Sequence, residues 1–147
     1  ERKEKMKYIV LVSHGTFAPG LHNALLMLAG ESRTDILSTS LENGMGSDTY
    51  IENVRKCVSK ITEKDEILLL GDLVGGSPLT LASNVIAERG LLSRTVILGG
   101  VNLPFALSAA LMKDDMEMNE LIDALLPEAR EVMQEFKVDV EENEDDI

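Results

Sequence analysis

Four short apolar runs, each followed by a segment of helical periodicity, constrain the fold of this 147-residue chain more than any other feature. The first and third runs are almost continuously apolar, as in strands that are covered on both faces. Strands that alternate with helices form a parallel sheet, because each helix returns the chain to the start of the next strand. The predicted strands are residues 8–12, 35–41, 66–72 and 95–100. We therefore predict one α/β domain with a doubly wound, four-stranded parallel sheet and helices on both faces.

The cysteine content and the hydropathy limit the cellular compartment in which this protein can be expected. One cysteine, Cys57, excludes an internal disulfide and suits a reducing compartment. No apolar run approaches the roughly 20 residues of a membrane-spanning helix, and no signal-peptide pattern is present. These features predict a cytoplasmic protein whose domain covers residues 7–140, with flexible ends at 1–6 and 141–147.

The charge of the chain argues against nucleic acid as a partner. The formal net charge is −12, and residues 139–147 (DVEENEDDI) carry only acidic charges. A surface of this sign repels phosphate backbones. We expect no nucleic-acid binding.

Polar or glycine-rich segments follow three of the predicted strands. SHG (13–15) follows the first strand, GDLVGGSP (71–78) the third and GGVNLP (99–104) the fourth. Ligands of open parallel sheets bind at the carboxyl ends of the strands, where the strand order reverses. The first and third strands are usually neighbours at that point, so we expect His14 and Asp72 to face the same crevice.

The residue types at this crevice suit a phosphoryl group held on nitrogen. A neutral imidazole offers one nitrogen as nucleophile while the other keeps its proton, and Asp72 could accept a hydrogen bond from that N–H. Gly75, Gly76 and Ser77 open a helix, whose free N–H groups and dipole attract an anion. Each feature alone could be only a turn or a cap, and the prediction depends on their convergence at one edge. We predict His14, Asp72 and Ser77 as catalytic residues, Gly75, Gly76 and Ser77 as phosphate-binding residues, and no metal or cofactor.

Other features have structural interpretations. His22 lies among leucines within a predicted helix and is expected to pack there, and Cys57 is expected to fill space or lie on the surface. Pro127 should interrupt or kink the last helix, residues 119–134. The short alternating segment FKVDV (136–140) is either an edge strand or a fraying end.

The motifs SHG, GDLVGGSP and GVNLP, in this order and spacing, resemble the enzyme IIA domain of the mannose/fructose/sorbose class of the bacterial phosphoenolpyruvate-dependent sugar phosphotransferase system. The similarity in layout runs from about Lys7 to about Lys137. The family fold is a sheet of four parallel strands plus a fifth, antiparallel strand exchanged between two subunits. The resemblance therefore implies a homodimer, with residues 136–140 as the candidate for the exchanged strand.

The resemblance also implies a phosphoryl relay. The family's active histidine corresponds to His14, its histidine-orienting aspartate to Asp72 and its phosphate-contacting serine to Ser77. His14 would accept a phosphoryl group from HPr and donate it to enzyme IIB for sugar uptake, with only indirect contact with the membrane subunits. The chain departs from the family at Ser13, where threonine is common, and at residues 73–74, where Thr-Trp is common. Neither departure removes a reacting group, although either could alter partner preference.

Three alternatives remain open from the sequence. The phosphotransferase subunit of dihydroxyacetone kinase has a similar fold and histidine, but the GGSP turn argues against it. A tetrapyrrole metal chelatase also begins with a strand ending in His-Gly, but it would need a second inward histidine, and His22 is poorly placed for that. A regulatory module would dock phosphocarriers without accepting phosphate.

Overall fold

The computed structural model describes residues 4–140, and its four strands form one parallel sheet in the order β2-β1-β3-β4. The strands are β1 (Lys7–His14), β2 (Ile36–Leu41), β3 (Glu66–Gly71) and β4 (Thr95–Leu98). β1 pairs with both β2 and β3, so the strand order reverses beside β1. The predicted sheet is confirmed. The predictions for residues 1–3 and 141–147, which include most of the acidic tail, lie outside the described residues.

In the described part of the chain, five α-helices connect and follow the strands. They are α1 (Phe17–Ala29), α2 (Ser47–Cys57), α3 (Ser77–Glu88), α4 (Leu103–Met112) and α5 (Met118–Glu131). Among residues 4–140, no helix has the length and hydropathy that a membrane span requires.

Each face of the sheet has its own apolar core, because successive side chains of a strand point to opposite faces. Ile9 and Leu11 of β1 pack with α1, α4 and α5 on one face. Tyr8, Val10 and Val12 of the same strand pack with α2 and α3 on the other. This burial on both faces explains the continuous apolar runs in the sequence.

Helix α5 continues without a break through Pro127, so the predicted interruption of this helix is wrong. A proline inside a helix removes one backbone hydrogen bond and crowds the preceding turn. Leu121 and Leu125 nevertheless pack in the same core as α4. In addition, the side-chain amide of Asn102 donates to the carbonyl of Ala129 at 2.9 Å. These tertiary contacts offset the cost of the proline.

An ion network closes the amino-terminal end of the sheet. The ammonium group of Lys113 lies 2.6 Å from Asp35 and 3.1 Å from Asp114, and its side chain is only 1% exposed. Arg33 also pairs with Asp35, at 3.0 Å. The Lys7 ammonium donates to the backbone carbonyl of Lys113 at 2.8 Å. The network joins the start of β1, the entry to β2 and the end of α4.

The chain after α5 has no regular secondary structure up to residue 140. Phe136, Val138 and Val140 are 86%, 70% and 81% exposed. Within residues 4–140, β4 pairs with β3 alone, so its outer edge is open. The segment 136–140 therefore forms no strand within the single chain, and its exchange between two chains stays a prediction.

Candidate functional site

His14 and Asp72 meet at the carboxyl ends of β1 and β3, as the predicted strand order requires. His14 is the last residue of β1, and Asp72 directly follows β3, its neighbour in the sheet. Nδ1 of His14 lies 2.9 Å from Oδ2 of Asp72, and the same oxygen accepts the His14 backbone N–H at 3.0 Å. The other carboxylate oxygen accepts the N–H of Leu73 at 3.0 Å. Three hydrogen bonds thus fix the carboxylate against the imidazole.

Asp72 determines which imidazole nitrogen is available for chemistry. A carboxylate can only accept, so the neutral ring carries its proton on Nδ1 and keeps its lone pair on Nε2. The His14 side chain is 46% exposed. Nε2 therefore carries the lone pair on a side chain that a second protein can reach.

The Asp72 carboxylate has a lowered pKa. Burial alone would raise the pKa of Asp72, but the hydrogen bonds from the His14 backbone and imidazole, together with the imidazole charge, outweigh burial. The side chain is therefore an anion at neutral pH. It can stabilise the positive charge that develops on the imidazole when Nε2 forms a new bond.

Helix α3 begins beside the imidazole. Gly76 is its N-cap, Ser77 its first residue and Pro78 its second. The N–H groups of a first helical turn have no acceptor within the helix, and the helix dipole adds positive potential there. A Cβ atom placed on Gly76 would lie 2.8 Å from Cε1 and 3.6 Å from Nε2 of His14. The first turn of α3 therefore lies directly next to Nε2, with N–H groups that can bind an anion.

The backbone that leads into α3 is shaped by residues 72–76, here called the site loop. Gly75 has a φ of +83°, a conformation that a side chain would strain. The Ser77 hydroxyl makes no hydrogen bond to another described residue, so it is available to an anion. The structure thus brings Gly75, Gly76 and Ser77 to the same edge as His14.

Ser13 supports the site in a way that the sequence did not predict. Its side chain is fully buried, and its Oγ accepts the Ala18 N–H at 2.7 Å and donates to the His14 carbonyl at 3.0 Å. The hydroxyl therefore holds the first turn of α1 and the backbone of His14 together. A serine shortly before a helix is the usual signal for such a cap, but in the structure Ser13 lies within β1, four residues before α1 begins at Phe17.

Tyr50 is a second supporting residue that no sequence motif marks. It is completely buried on α2, and its hydroxyl donates to the carbonyl of Pro78 at 2.7 Å. Burial, with smaller effects of Cys57 and Asp72, raises the pKa of Tyr50 well above its ordinary value. The hydroxyl therefore remains a neutral donor that anchors the first turn of α3.

His22 and Cys57 lie outside the site. Nδ1 of His22 is 2.7 Å from Oγ of Ser38, and burial lowers the pKa of the imidazole. Burial raises the pKa of the Cys57 thiol to about 11, so the reactive thiolate is rare at neutral pH. Within residues 4–140, no three His, Cys, Asp or Glu side chains are arranged to hold a metal ion.

Comparison with known proteins gives one consistent family. A family model described as "PTS system fructose IIA component", where PTS stands for phosphotransferase system, matches residues 8–126. The chain is 28% identical over 117 residues to the PTS system fructose-specific EIIA component of Bacillus subtilis, a match that covers 80% of this chain and 77% of that protein. It is 27% identical over 130 residues to the PTS system mannose-specific EIIAB component of Escherichia coli. That match covers 88% of this chain but only 39% of the longer relative.

Solved structures show the same fold. The phosphotransferase system component EIIA from Streptococcus agalactiae superposes with a TM-score of 0.75 at 27% identity, over 89% of this chain and 98% of that chain. The mannose/sorbose-specific IIA subunit from Enterococcus faecalis gives a TM-score of 0.74 at 21% identity, over 92% and 97% of the two chains. At that lower identity the second likeness supports the fold alone.

Proposed function

The chain belongs to the family of PTS system fructose IIA components and is a phosphoryl carrier of a sugar phosphotransferase system, and we propose that His14 carries the phosphoryl group. Members of this family are phosphotransferases. The observation that carries the proposal is the 2.9 Å contact between Nδ1 of His14 and Asp72. That contact leaves Nε2 as the nucleophile, beside the first turn of α3.

The donor in this proposal is the phosphohistidine of HPr. The lone pair of Nε2 attacks phosphorus, the Nε2–P bond forms, and the N–P bond of the donor breaks with its electron pair returning to the donor nitrogen. Nδ1 keeps its proton in the hydrogen bond to Asp72, whose negative charge balances the charge on the ring. The first-turn N–H groups of α3 and the Ser77 hydroxyl bind the phosphoryl oxygens.

The acceptor is enzyme IIB, which phosphorylates the incoming sugar together with the membrane components. In the transfer to IIB, a nitrogen of IIB attacks phosphorus and forms the new N–P bond. The Nε2–P bond breaks, and its electron pair returns to Nε2. We propose that the donor and acceptor N–P bonds have similar free energies, so that the group can move either way. Catalysis then consists mainly of positioning and charge stabilisation.

The surface around His14 suits contact with these partner proteins. Phe17, Leu73 and Val74 are 47%, 55% and 81% exposed, although all three are large and apolar. Leu73 and Val74 lie in the site loop, and Phe17 begins α1 three residues after His14. Exposed apolar side chains of this kind favour protein contacts. We propose that Leu73 and Val74, where the chain departs from its family, tune the choice of partner.

Phosphorylation of histidine variants tests the main proposal. The wild-type chain, His14→Ala and His22→Ala are incubated with HPr carrying ³²P on its histidine. We expect about one equivalent of label on the wild type and on His22→Ala, and none on His14→Ala. Label on His14→Ala would contradict the proposal. Binding of HPr without any labelling of the wild type would favour a docking module instead.

A homodimer is the second part of the proposal, in which residues 136–140 add an antiparallel strand to β4 of a second copy. The open edge of β4 and the exposed, alternating side chains of Phe136, Val138 and Val140 support it. A cavity of about 480 Å³ between β4 and α5, lined by apolar side chains such as Leu98 and Met133, supports it as well. The resulting domain would cover residues 7–140.

Sedimentation of two chain lengths tests the dimer. We expect the full chain to sediment as a dimer at micromolar concentration and a chain ending at residue 134 to sediment as a monomer. A monomeric full chain, or a truncated chain that remains dimeric, would refute the exchange.

A further inference from the structure

The segment GGVNLP (99–104) begins directly after β4, at the same sheet edge as His14. The proposed reaction assigns this segment no role. Gly99, its first residue, lies directly against the site loop. A Cβ atom on Gly99 would be 2.8 Å from the backbone nitrogen of Val74, 2.9 Å from its Cα and 2.5 Å from its Cγ2. Two of these three atoms belong to the backbone, so a rotamer change at Val74 cannot relieve the overlap.

We propose that Gly99 is a positioning residue for the reaction at His14. The missing side chain lets the site loop lie on the end of β4, and this support fixes Asp72 and Gly76 against the imidazole. The inference rests on the proposed function for its kinetic readout only, since the position of the loop can be observed without phosphoryl transfer.

The site loop cannot absorb a displacement at its centre. One end is fixed because Asp72 binds both the backbone and the ring of His14. The other end is fixed because Gly76 is the N-cap of α3 and lies so close to the ring that a Cβ added to it would be 2.8 Å from Cε1 of His14. Only three residues separate these two points, so a shift of Val74 must move one of them. Either movement changes the environment of the imidazole.

The end of β4 is itself held in place. The N–H of Val101 donates to the carbonyl of Gly71, the last residue of β3, at 3.0 Å. Asn102 accepts the Phe105 N–H at 2.9 Å, which fixes the start of α4, and its amide also binds α5. The backbone around Gly99 is therefore held in place and cannot move away from Val74 to make room for an added methyl group.

Gly99 is needed for space and not for an unusual backbone conformation. Its φ lies outside the left-handed region, whereas Gly75 and Gly100 have φ values of +83° and +75°. Alanine at position 99 therefore tests the close approach to Val74 alone. Gly20 offers a matched control, because it lies within α1, where an added Cβ would have no atom within 4 Å apart from its own helix backbone and chain neighbours.

The experiment compares Gly99→Ala with Gly20→Ala in the full-length chain. The first measurement is the initial rate of ³²P transfer from labelled HPr. The second is the ¹⁵N chemical shifts of the His14 imidazole, which report which nitrogen carries the proton. We expect Gly99→Ala to be at least tenfold slower, with altered imidazole shifts. Gly20→Ala should remain within twofold of the wild type, with unchanged shifts.

A second variant separates positioning from a general loss of stability. Val74→Gly in the Gly99→Ala background removes the overlap with Cγ2 and loosens the loop backbone, so it should shift the imidazole signals part of the way back towards those of the wild type. Wild-type rate and shifts in Gly99→Ala would overturn the inference, as would slow transfer with unchanged shifts. A wild-type chain that accepts no phosphate would refute the proposed function but would leave the ¹⁵N test valid.

Discussion

The two ends of the parallel sheet each hold an aspartate beside a basic side chain, and the two pairs differ in what they leave unbound. At the amino end, Asp35 and Lys113 are 2.6 Å apart, and the lysine is 1% exposed. At the carboxyl end, Asp72 and His14 are 2.9 Å apart, and the histidine is 46% exposed. The contact distances are similar, so distance alone does not separate a structural pair from a reactive one.

The two pairs differ in the number of partners that each charged group has and in the exposure of the basic side chain. Lys113 has a second carboxylate partner in Asp114, and Asp35 has a second cation in Arg33. At the carboxyl end, the carboxylate uses one imidazole nitrogen and leaves the other with its lone pair. The amino end therefore stabilises the fold, whereas the carboxyl end keeps one atom available for chemistry. Variants of each pair test this distinction.

The largest expected effect is the loss of charge at the carboxyl end. Asp72→Asn keeps an oxygen for the His14 backbone N–H but removes the anion that orients and stabilises the imidazole. We expect the rate of phosphoryl transfer from HPr to fall about 10²–10⁴-fold, as when a proton-handling group of an active site is removed. The free energy of unfolding, measured in urea at neutral pH, should fall only by the modest contribution of this carboxylate, whose pKa is lowered in the folded chain. A rate within threefold of the wild type would contradict the role of Asp72.

Next is the removal of the buried cation at the amino end. Lys113→Ala leaves Asp35 with an incomplete set of partners and opens a cavity. We expect the free energy of unfolding to fall by about 3 kcal/mol, with an unchanged transfer rate in the folded protein. The double variant Asp35→Asn with Lys113→Met removes both charges and keeps the volume, and it should recover most of that loss. Equal stability of Lys113→Ala and the wild type would show that the network does not stabilise the fold.

A smaller effect on stability and rate is expected when the hydrogen bond that anchors the start of α3 is removed. Tyr50→Phe removes only the hydroxyl that donates to the Pro78 carbonyl at 2.7 Å. We expect a loss of about 1 kcal/mol in the free energy of unfolding and a transfer rate reduced less than tenfold. Urea unfolding and ³²P transfer measure the two quantities. Full retention of both would show that this hydrogen bond does not anchor α3.

The smallest expected effect is a change in acid sensitivity. Burial would raise the pKa of Asp35, but hydrogen bonds and charges from Arg33 and Lys113 outweigh it, and Asp72 likewise has a lowered pKa. A carboxyl whose folded-state pKa is lowered contributes stability above its unfolded pKa of about 3.9, and this contribution is lost as the pH falls through the folded value.

Urea unfolding between pH 3 and pH 6 tests this linkage. Asp35→Asn and Asp72→Asn should each show a weaker decline of the unfolding free energy on acidification than the wild type. If both variants retain the full decline, other carboxyls account for the acid sensitivity of the fold.

The sheet and the contact between His14 and Asp72 could be predicted because both follow from local features of the sequence. The continuous apolar runs indicate strands buried on both faces, and the order of a doubly wound sheet brings the ends of β1 and β3 together. His14 and Asp72 are the polar residues at those two ends. Their contact therefore follows from strand ends and strand order, without knowledge of any side-chain packing.

The supporting residues could not be predicted because their roles depend on tertiary contacts. Tyr50 meets Pro78 only through the packing of α2 on α3, and Gly99 meets Val74 only because β4 lies beside β3. The break expected at Pro127 did not occur, since packing of α5 overrides intrinsic helix propensity. Residues 136–140 have no partner strand within the described residues. The sequence therefore predicts only that apolar and polar residues alternate there, and not which strand this segment would pair with.

One nitrogen serves both halves of the proposed relay, and this has a kinetic consequence. In the proposed relay, HPr and enzyme IIB approach the same exposed face of His14, so neither can bind while the other occupies it. Such a carrier follows ping-pong kinetics. The flux of phosphate through the chain should rise and then decline as the concentration of either partner increases, because the abundant partner closes the site to the scarce one.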